Sequence, residues 1–315
     1  MFNREKIVMK TTTREITKEL LDKLWKQYLT RVSYAQKYVE LVTGKGGQVV
    51  NDHIALRTFN THTGEQPEGI KAIEHIIGIM EYKPVEKYVF PKKQLNAVYF
   101  EHPDEMFPKI FVSQLEVDHL PGWAQQIIHN TVKETPYLLS DSGIGLLQLL
   151  KENGTLPREA AELLIDDLTG YFQRPWKIPF KDDVLKINDV SQYGAWVLLH
   201  GNSINHFTAF INYQNVKEWP DLETTCKALE KAGVPMKDTI EGERGSKLQQ
   251  SATLAVNEDV EVRGDEGIER LSWTYAYYEL AQRGFIEENG KKKLFAGFMG
   301  EQAHHLFEMT KPRDI

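Results

Sequence analysis

The chain has 315 residues, 41% of them hydrophobic, enough to bury a substantial core in one large domain or two of ordinary size. Its 45 acidic and 38 basic side chains are interspersed and leave a net charge of −7, with no basic stripe to suit a nucleic-acid partner. No apolar run approaches the ~20 residues that cross a bilayer, and the start "MFNREKIVMKTTTREITKELL" lacks the apolar centre of a secretory signal, so we expect a cytoplasmic protein with no membrane partner.

Residues 16–43 place Leu21, Leu24, Trp25, Tyr28, Val32, Val39 and Val42 at helical spacing, which predicts a long N-terminal helix with at most one break, closed by "TGKGG". Strand period follows in "HIALRTF" (53–59), then a helix in "GIKAIEHIIGIM" (69–80), then strands in "KPVEKYVF" (83–90), "LNAVYFEH" (95–102) and "KIFVSQLEV" (109–117). Helical signals return between 119 and about 199, in "PGWAQQIIHNTVKE", "GIGLLQLLKENG" and "PREAAELLIDDLTGYF". The earlier order then repeats. A strand "NHFTAFIN" (205–212) precedes a helix "DLETTCKALEKAG" (221–233), and strands follow around 238–243, at 248–256 and at 273–281. The lone cysteine, Cys226, lies in that helix, reads as a small buried residue, and excludes any internal disulfide or Cys-rich metal site. "GKKKLF" (290–295) reads as a solvated turn, and "AHHLFEMT" (303–310) as a last strand.

The pattern predicts an α+β protein of two βαβββ modules with an N-terminal helix and a helical insertion. Its parts are an N-terminal helical segment at 1–48, a first module at 49–118, an insertion at 119–199 and a second module with a C-terminal strand at 200–315, all in one catalytic domain spanning 1–315.

Each module opens with a strand bearing a histidine near its head, behind a short polar residue: Asp52 and His53 in one, Asn205 and His206 in the other. Alternation puts His53, Ala55 and Arg57 on one strand face, opposite Ile54, Leu56 and Thr58. If the modules pair about a pseudo-twofold, the two histidines meet across a cleft. Glu279, sharing a face with Tyr275, Tyr277 and Arg283, is the carboxylate expected to join them, with Glu116 as its counterpart in the first module and Glu308 as its rival for the metal. Glu279 near Arg283 reads as buried and paired. Two imidazoles and one carboxylate with positions left open suit Fe(II) oxygenase chemistry, and the same set can hold Zn²⁺ or Mn²⁺.

Arg57, four residues past His53 on its face, is set to clamp a substrate carboxylate through paired N–H donors, the structural alternative being an ion pair with Asp52. Gln250, Ser251, Arg244 and Tyr277 are further pocket candidates. His304 and His305 are adjacent, so in a strand they cannot chelate one ion together.

"NDHIALRTF", "INHFTAFIN" and "YYELAQRG", at their spacing, resemble the 2-oxoadipate dioxygenase/decarboxylase family over about residues 20–310. The resemblance implies a vicinal-oxygen-chelate-like curved mixed sheet with helical additions. It further implies Fe(II) held by His53, His206 and Glu279, with Arg57 binding the substrate. The implied reaction takes a 2-oxo acid and O2, in the first instance 2-oxoadipate, to 2-hydroxyglutarate and CO2, a step of lysine breakdown. The competing readings are a metal-dependent lyase, isomerase or hydrolase on a glyoxalase-like fold, and a non-catalytic binding protein on that fold. The sequence leaves the oligomeric state open.

Overall fold

In the computed structural model, which describes residues 9–288, 290–300 and 307–310, the first helix is set by a capping box. Thr12, at the end of the short strand β1 (Lys10–Thr12), accepts from the Glu15 N–H, and the Glu15 carboxylate reaches back to the Thr12 N–H. Helix α1 (Thr13–Arg31) buries Ile16, Leu20, Leu24 and Tyr28 as one stripe, breaks once at Val32, and gives way to α2 (Ser33–Gly44).

The first module is β2 (Asn51–Asn60), α3 (Ile70–Ile79), β3 (Lys83–Phe90), β4 (Leu95–Glu101) and β5 (Lys109–Glu116). The insertion holds α4 (Gly122–Val132), α5 (Asp141–Asn153), β6 (Thr155–Pro157, paired with β1), α6 (Arg158–Tyr171), α7 (Lys181–Val190) and α8 (Gln192–His200). Every residue of α8 from Tyr193 to His200 is buried, as expected of a helix that is apolar around its whole circumference. The second module comprises β7 (Ile204–Phe210), α9 (Leu222–Lys231), β8 (Leu248–Ala252), β9 (Asn257–Gly264), β10 (Gly267–Thr274) and β11 (Glu279–Arg283). A hairpin of β12 (Phe285–Glu288) and β13 (Lys291–Leu294) follows, then a 3-10 turn at Phe307–Thr310.

Seven strands form one curled mixed sheet in the order β3-β4-β5-β2-β7-β11-β8. At its centre β2 and β7 run antiparallel, with His53 opposite Thr208 and Ala55 opposite His206, so the two His-bearing strands are related by a local twofold. Outside them β5 lies parallel to β2 and β11 parallel to β7, and then β4 and β8 pair antiparallel. One sheet face packs on α1 through the Ile54–Leu56 side of β2 and through Phe207, whose ring meets Tyr28 at 5.0 Å and Trp25 at 4.8 Å. The other face carries the His53–Arg57 side.

Four expected strands differ in the structure. The segment 238–243 makes a single isolated bridge, Glu241 to Gln250, because Gly242 and Gly245 take positive φ and end any extended run. The strand expected at 248–256 stops at Ala252, and that expected at 273–281 divides into the end of β10, an irregular Tyr275–Tyr278 step, and β11. Of the last strand, 307–310 is a 3-10 turn and 303–306, with His304 and His305, lies outside the described residues. The expected solvated turn at 290–295 is mostly strand β13, although its lysines are exposed. The β9–β10 hairpin was not expected from the sequence. Cys226 is buried, and burial raises its thiol pKa to about 11. No helix among the described residues is long and apolar enough to cross a membrane.

Candidate metal centre

The central strand pair brings His53 and His206 face to face. Their rings stand 5.6 Å apart at 80°, and β11, in parallel register with β7, sets Glu279 opposite Thr208 and between the two rings. His53 Nε2 lies 3.3 Å from Glu279 Oε1 and His206 Nε2 lies 3.2 Å from Oε2, with one ligand atom from each of the three residues within 4.8 Å of the others. All three side chains are buried. Glu279 is fully inaccessible, yet its Oε2 has no hydrogen-bond partner among the described residues, while Oε1 accepts from Gln250 Nε2 at 2.5 Å. A buried carboxylate oxygen without a donor is costly in a folded protein, and a cation between three convergent acceptors removes that cost. The residues therefore fit a divalent metal, as a two-histidine, one-carboxylate set with open positions.

Both rings present Nε2 to the common point because their Nδ1 atoms are engaged elsewhere. His53 Nδ1 donates to Asp52 Oδ2 at 2.7 Å, and His206 Nδ1 donates to Asn205 Oδ1 at 3.1 Å. Thr208 Oγ1 lies 3.0 Å from His53 Nε2. Burial favours the neutral form of His53, but Glu279 and Asp52 outweigh it and raise its pKa above the usual histidine value. Burial drives His206 the other way, well below that value, helped by the nearby His53 and Arg57. Burial would also raise Asp52, but the Arg283 charge and hydrogen bonds, with His53, hold it far below the carboxylate range.

Arg57 lies on the same cavity wall, 2% exposed, with its guanidinium carbon 4.9 Å over Tyr193 and 5.1 Å over Trp196, both on α8, and Nη1 donating to Thr310 Oγ1 at 2.8 Å. Burial lowers its pKa from the ordinary arginine value, partly offset by Tyr193, Tyr277 and Glu308. Phe111, Phe298 and Met299 supply much of the apolar lining. Phe298 packs edge-on at 4.9 Å from the His53 ring and 5.0 Å from Phe111, while Tyr277 covers His206 at 4.6 Å.

Of the residues singled out in the sequence, His53, His206, Glu279, Arg57, Gln250 and Tyr277 line one cavity. The others lie elsewhere. Ser251 alternates to the opposite strand face, with Oγ 3.4 Å from the Thr239 carbonyl, and Arg244 is exposed, bonded to the helix-capping Asp221 at 2.9 Å. Glu308 is half-exposed and pairs with Lys93. Glu116 accepts from Asn60, Asn96 and Gln114, and the register that aligns His53 with His206 makes Phe111, not Glu116, the counterpart of Glu279. Arg283 pairs with Asp52 rather than Glu279, at 2.5 Å (Nε to Oδ1) and 2.8 Å (Nη2 to Oδ2), which also disposes of an Arg57–Asp52 pair as Asp52's main tie. Phe298, Phe111 and the α8 aromatics were missed in the sequence, since none of them stands near a ligand in the chain.

A family model described as 2-oxoadipate dioxygenase/decarboxylase matches residues 19–313. The chain belongs to that family. A curated 2-oxoadipate dioxygenase/decarboxylase of rice, named as chloroplastic/amyloplastic, is 27% identical over 250 residues, which cover 75% of this family member and 61% of the rice protein. In fold it resembles a Ralstonia eutropha protein described under the glyoxalase superfamily, with TM-score 0.82, 24% identity, and coverage of 92% of this chain and 87% of that one. It also resembles a rice hydroxyglutarate synthase solved in complex with 2-oxoadipate, with TM-score 0.73, 23% identity, and coverage of 95% and 93%. These two likenesses establish the vicinal-oxygen-chelate-like fold of this family member.

Proposed function

We propose that this protein is an Fe(II)-dependent dioxygenase/decarboxylase that converts a 2-oxo acid, 2-oxoadipate in the first instance, and O2 to 2-hydroxyglutarate and CO2. The observation that carries the reading is the convergence of His53, His206 and Glu279, with a buried donorless oxygen on Glu279, in the same cavity as a buried Arg57. Membership of the family supports the reaction class and the substrate. The atoms balance without a further reductant: the substrate loses its first carbon with two oxygens as CO2 and gains the two atoms of O2, so the hydroxy acid keeps the oxygen and hydrogen count of the oxo acid with one carbon fewer.

In this reading His53 Nε2, His206 Nε2 and the Glu279 carboxylate hold the metal. Iron(II), when bound, supplies the electrons and open positions that dioxygen chemistry needs. Arg57 orients a substrate carboxylate, its pull on an anion strengthened by the low polarity around it and its plane fixed by Tyr193 and Trp196. Gln250 steadies Glu279 by donating to Oε1 and leaving Oε2 toward the common point. Phe111, Phe298 and Tyr277 exclude water from the reacting centre. The chain works as one catalytic unit with its site on the seam between the modules, in the cytoplasm and in lysine breakdown.

The test is anaerobic reconstitution of the metal-free protein with Fe(II), followed by oxygen uptake and CO2 release on 2-oxoadipate. Uptake matched one-to-one by CO2 and 2-hydroxyglutarate is the expected result. Turnover under Zn²⁺ or Mn²⁺ with none under Fe(II) would replace it by a lyase, isomerase or hydrolase. Tight binding of 2-oxoadipate without turnover under any of the three metals would make the protein a binding module.

A further inference from the structure

The local twofold makes Asp52 and Asn205 equivalent, since each precedes a histidine and accepts from that ring's Nδ1. Their surroundings are not equivalent. The Asn205 amide nitrogen has no hydrogen-bond partner among the described residues, so none of them grips that amide as Arg283 grips Asp52. Asp52 is fully buried and gripped by the Arg283 guanidinium, whose Nε and Nη2 donate to its two oxygens. The remaining nitrogen of Arg283, Nη1, donates to the carbonyls of Phe295 and Gly297 at 2.9 and 2.8 Å. Those carbonyls belong to the segment that lays Phe298 against the His53 ring, and the Phe298 N–H is itself 3.3 Å from the Tyr88 hydroxyl. One guanidinium thus braces His53 from behind through Asp52 and carries the segment that covers it in front.

We infer that Asp52 and Arg283 form a positioning pair for His53, fixing its Nδ1–H tautomer and ring plane for metal binding and tying that geometry to the covering segment 295–299. The inference rests on the metal reading above. An ionised carboxylate can only accept, so an Asp52 fixed by Arg283 leaves His53 no choice but to donate from Nδ1 and keep its lone pair on Nε2. His206, backed by a neutral amide, lacks that enforcement.

The experiment titrates Co(II) into metal-free wild-type protein and into Asp52→Asn, Arg283→Lys and the double variant, reading visible absorption, with circular dichroism to verify folding. Asp52→Asn keeps the shape and an acceptor for His53 but removes the charge, and Arg283→Lys keeps the charge but removes the fork. We expect each to weaken Co(II) binding about 10–100-fold, the usual range for a partner behind a ligating histidine. The double variant is expected to lose little more than the worse single one, because the pair acts as a unit. Arg283→Lys alone is expected to speed amide hydrogen exchange in 295–299 more than Asp52→Asn does, since only Arg283 touches those carbonyls. Independently of any variant, long-range ¹⁵N spectra of the metal-free wild type are expected to show His53 protonated at Nδ1. A wild type that binds Co(II) while the folded variants bind it equally well overturns the positioning role alone, as does an Nε2–H tautomer at His53. A wild type that takes up no divalent metal overturns the metal reading itself.

Discussion

The half-sheet β3-β4-β5-β2 and the half-sheet β7-β11-β8 share a strand plan but supply different things to the cavity between them. Each offers one histidine from its first strand. At the next equivalent position, on the strand parallel to it, the first half places Phe111 and the second Glu279. Two strands' worth of backbone symmetry thus gives two imidazoles, one carboxylate and one aromatic wall. The first half adds Arg57, whose equivalent in the second is Phe210, so the buried cation stands on only one side. A second carboxylate at 111 would crowd the point where the three ligand atoms converge, whereas the Phe111 ring adds apolar lining there. Among the described residues the second half also lacks a regular fourth strand, having only the bridges at Met236 and Glu241 where the first has β3.

The strongest way to break this asymmetry is to remove its carboxylate. Glu279→Ala is expected to abolish metal uptake by direct titration, while Glu308→Ala binds like wild type. Placing the carboxylate on the other half is the sharper form: Glu279→Ala combined with Phe111→Glu is expected to regain at least about 10-fold in metal affinity over Glu279→Ala alone, the size of effect that a single positioned ligand contact commonly carries. No recovery would mean that the two positions are equivalent in backbone only. Arg57→Met, which keeps an apolar stem, is expected to retain metal and lose about 1.5–3 kcal/mol of 2-oxo acid binding by calorimetry, the worth of a charge-assisted hydrogen bond.

A control away from the seam gives the smallest effect. Glu258 accepts from Arg31 at 2.6 Å and lies 3.3 Å from His200, linking β9, α1 and α8. Burial raises its pKa, but His200 and Arg31 outweigh it and bring the carboxyl down to about 2. The unfolded carboxyl is higher, so the stabilisation is fully present above about pH 5 and is lost as pH falls toward 2. Glu258→Gln is expected to cost up to about 3 kcal/mol at pH 7 and to flatten denaturation midpoints between pH 5 and 2, with metal affinity unchanged.

The first module was readable from its sequence because its strands are short runs rich in β-branched and aromatic residues, set off by turns that carry glycine and proline. "KPVEKYVF" is β3 to the residue. The second was harder. Tyr275 to Tyr278 are all buried, so no alternation marks where β10 ends and β11 begins, and burial of every side chain erases the period-two signal. The hairpins β9–β10 and β12–β13 had a local cue in "GDEG" and in the Asn-Gly of "EENGKKK", a dipeptide suited to tight turns, but their exposed charges masked the strands on either side. Likewise the histidines and Glu279 could be picked out by type and position in the repeat. The partner of Asp52 could not, because Arg283 lies 231 residues away and only the folded sheet brings the two together. Phe298 and the α8 aromatics are invisible for the same reason: each is an ordinary apolar residue until the chain returns to the seam.

The donorless oxygen of Glu279 also bears on how long the folded protein survives. Without a cation, the fold must keep two imidazole lone pairs and a carboxylate gathered in a dry space, and every ion bound there stabilises the native state alone. Occupancy at 1,000 times the dissociation constant adds about 4 kcal/mol, comparable to a large share of a typical domain's margin. The melting temperature should then climb with free metal and drop on chelation, so that the protein's lifetime in a cell becomes a gauge of how much metal that cell can spare.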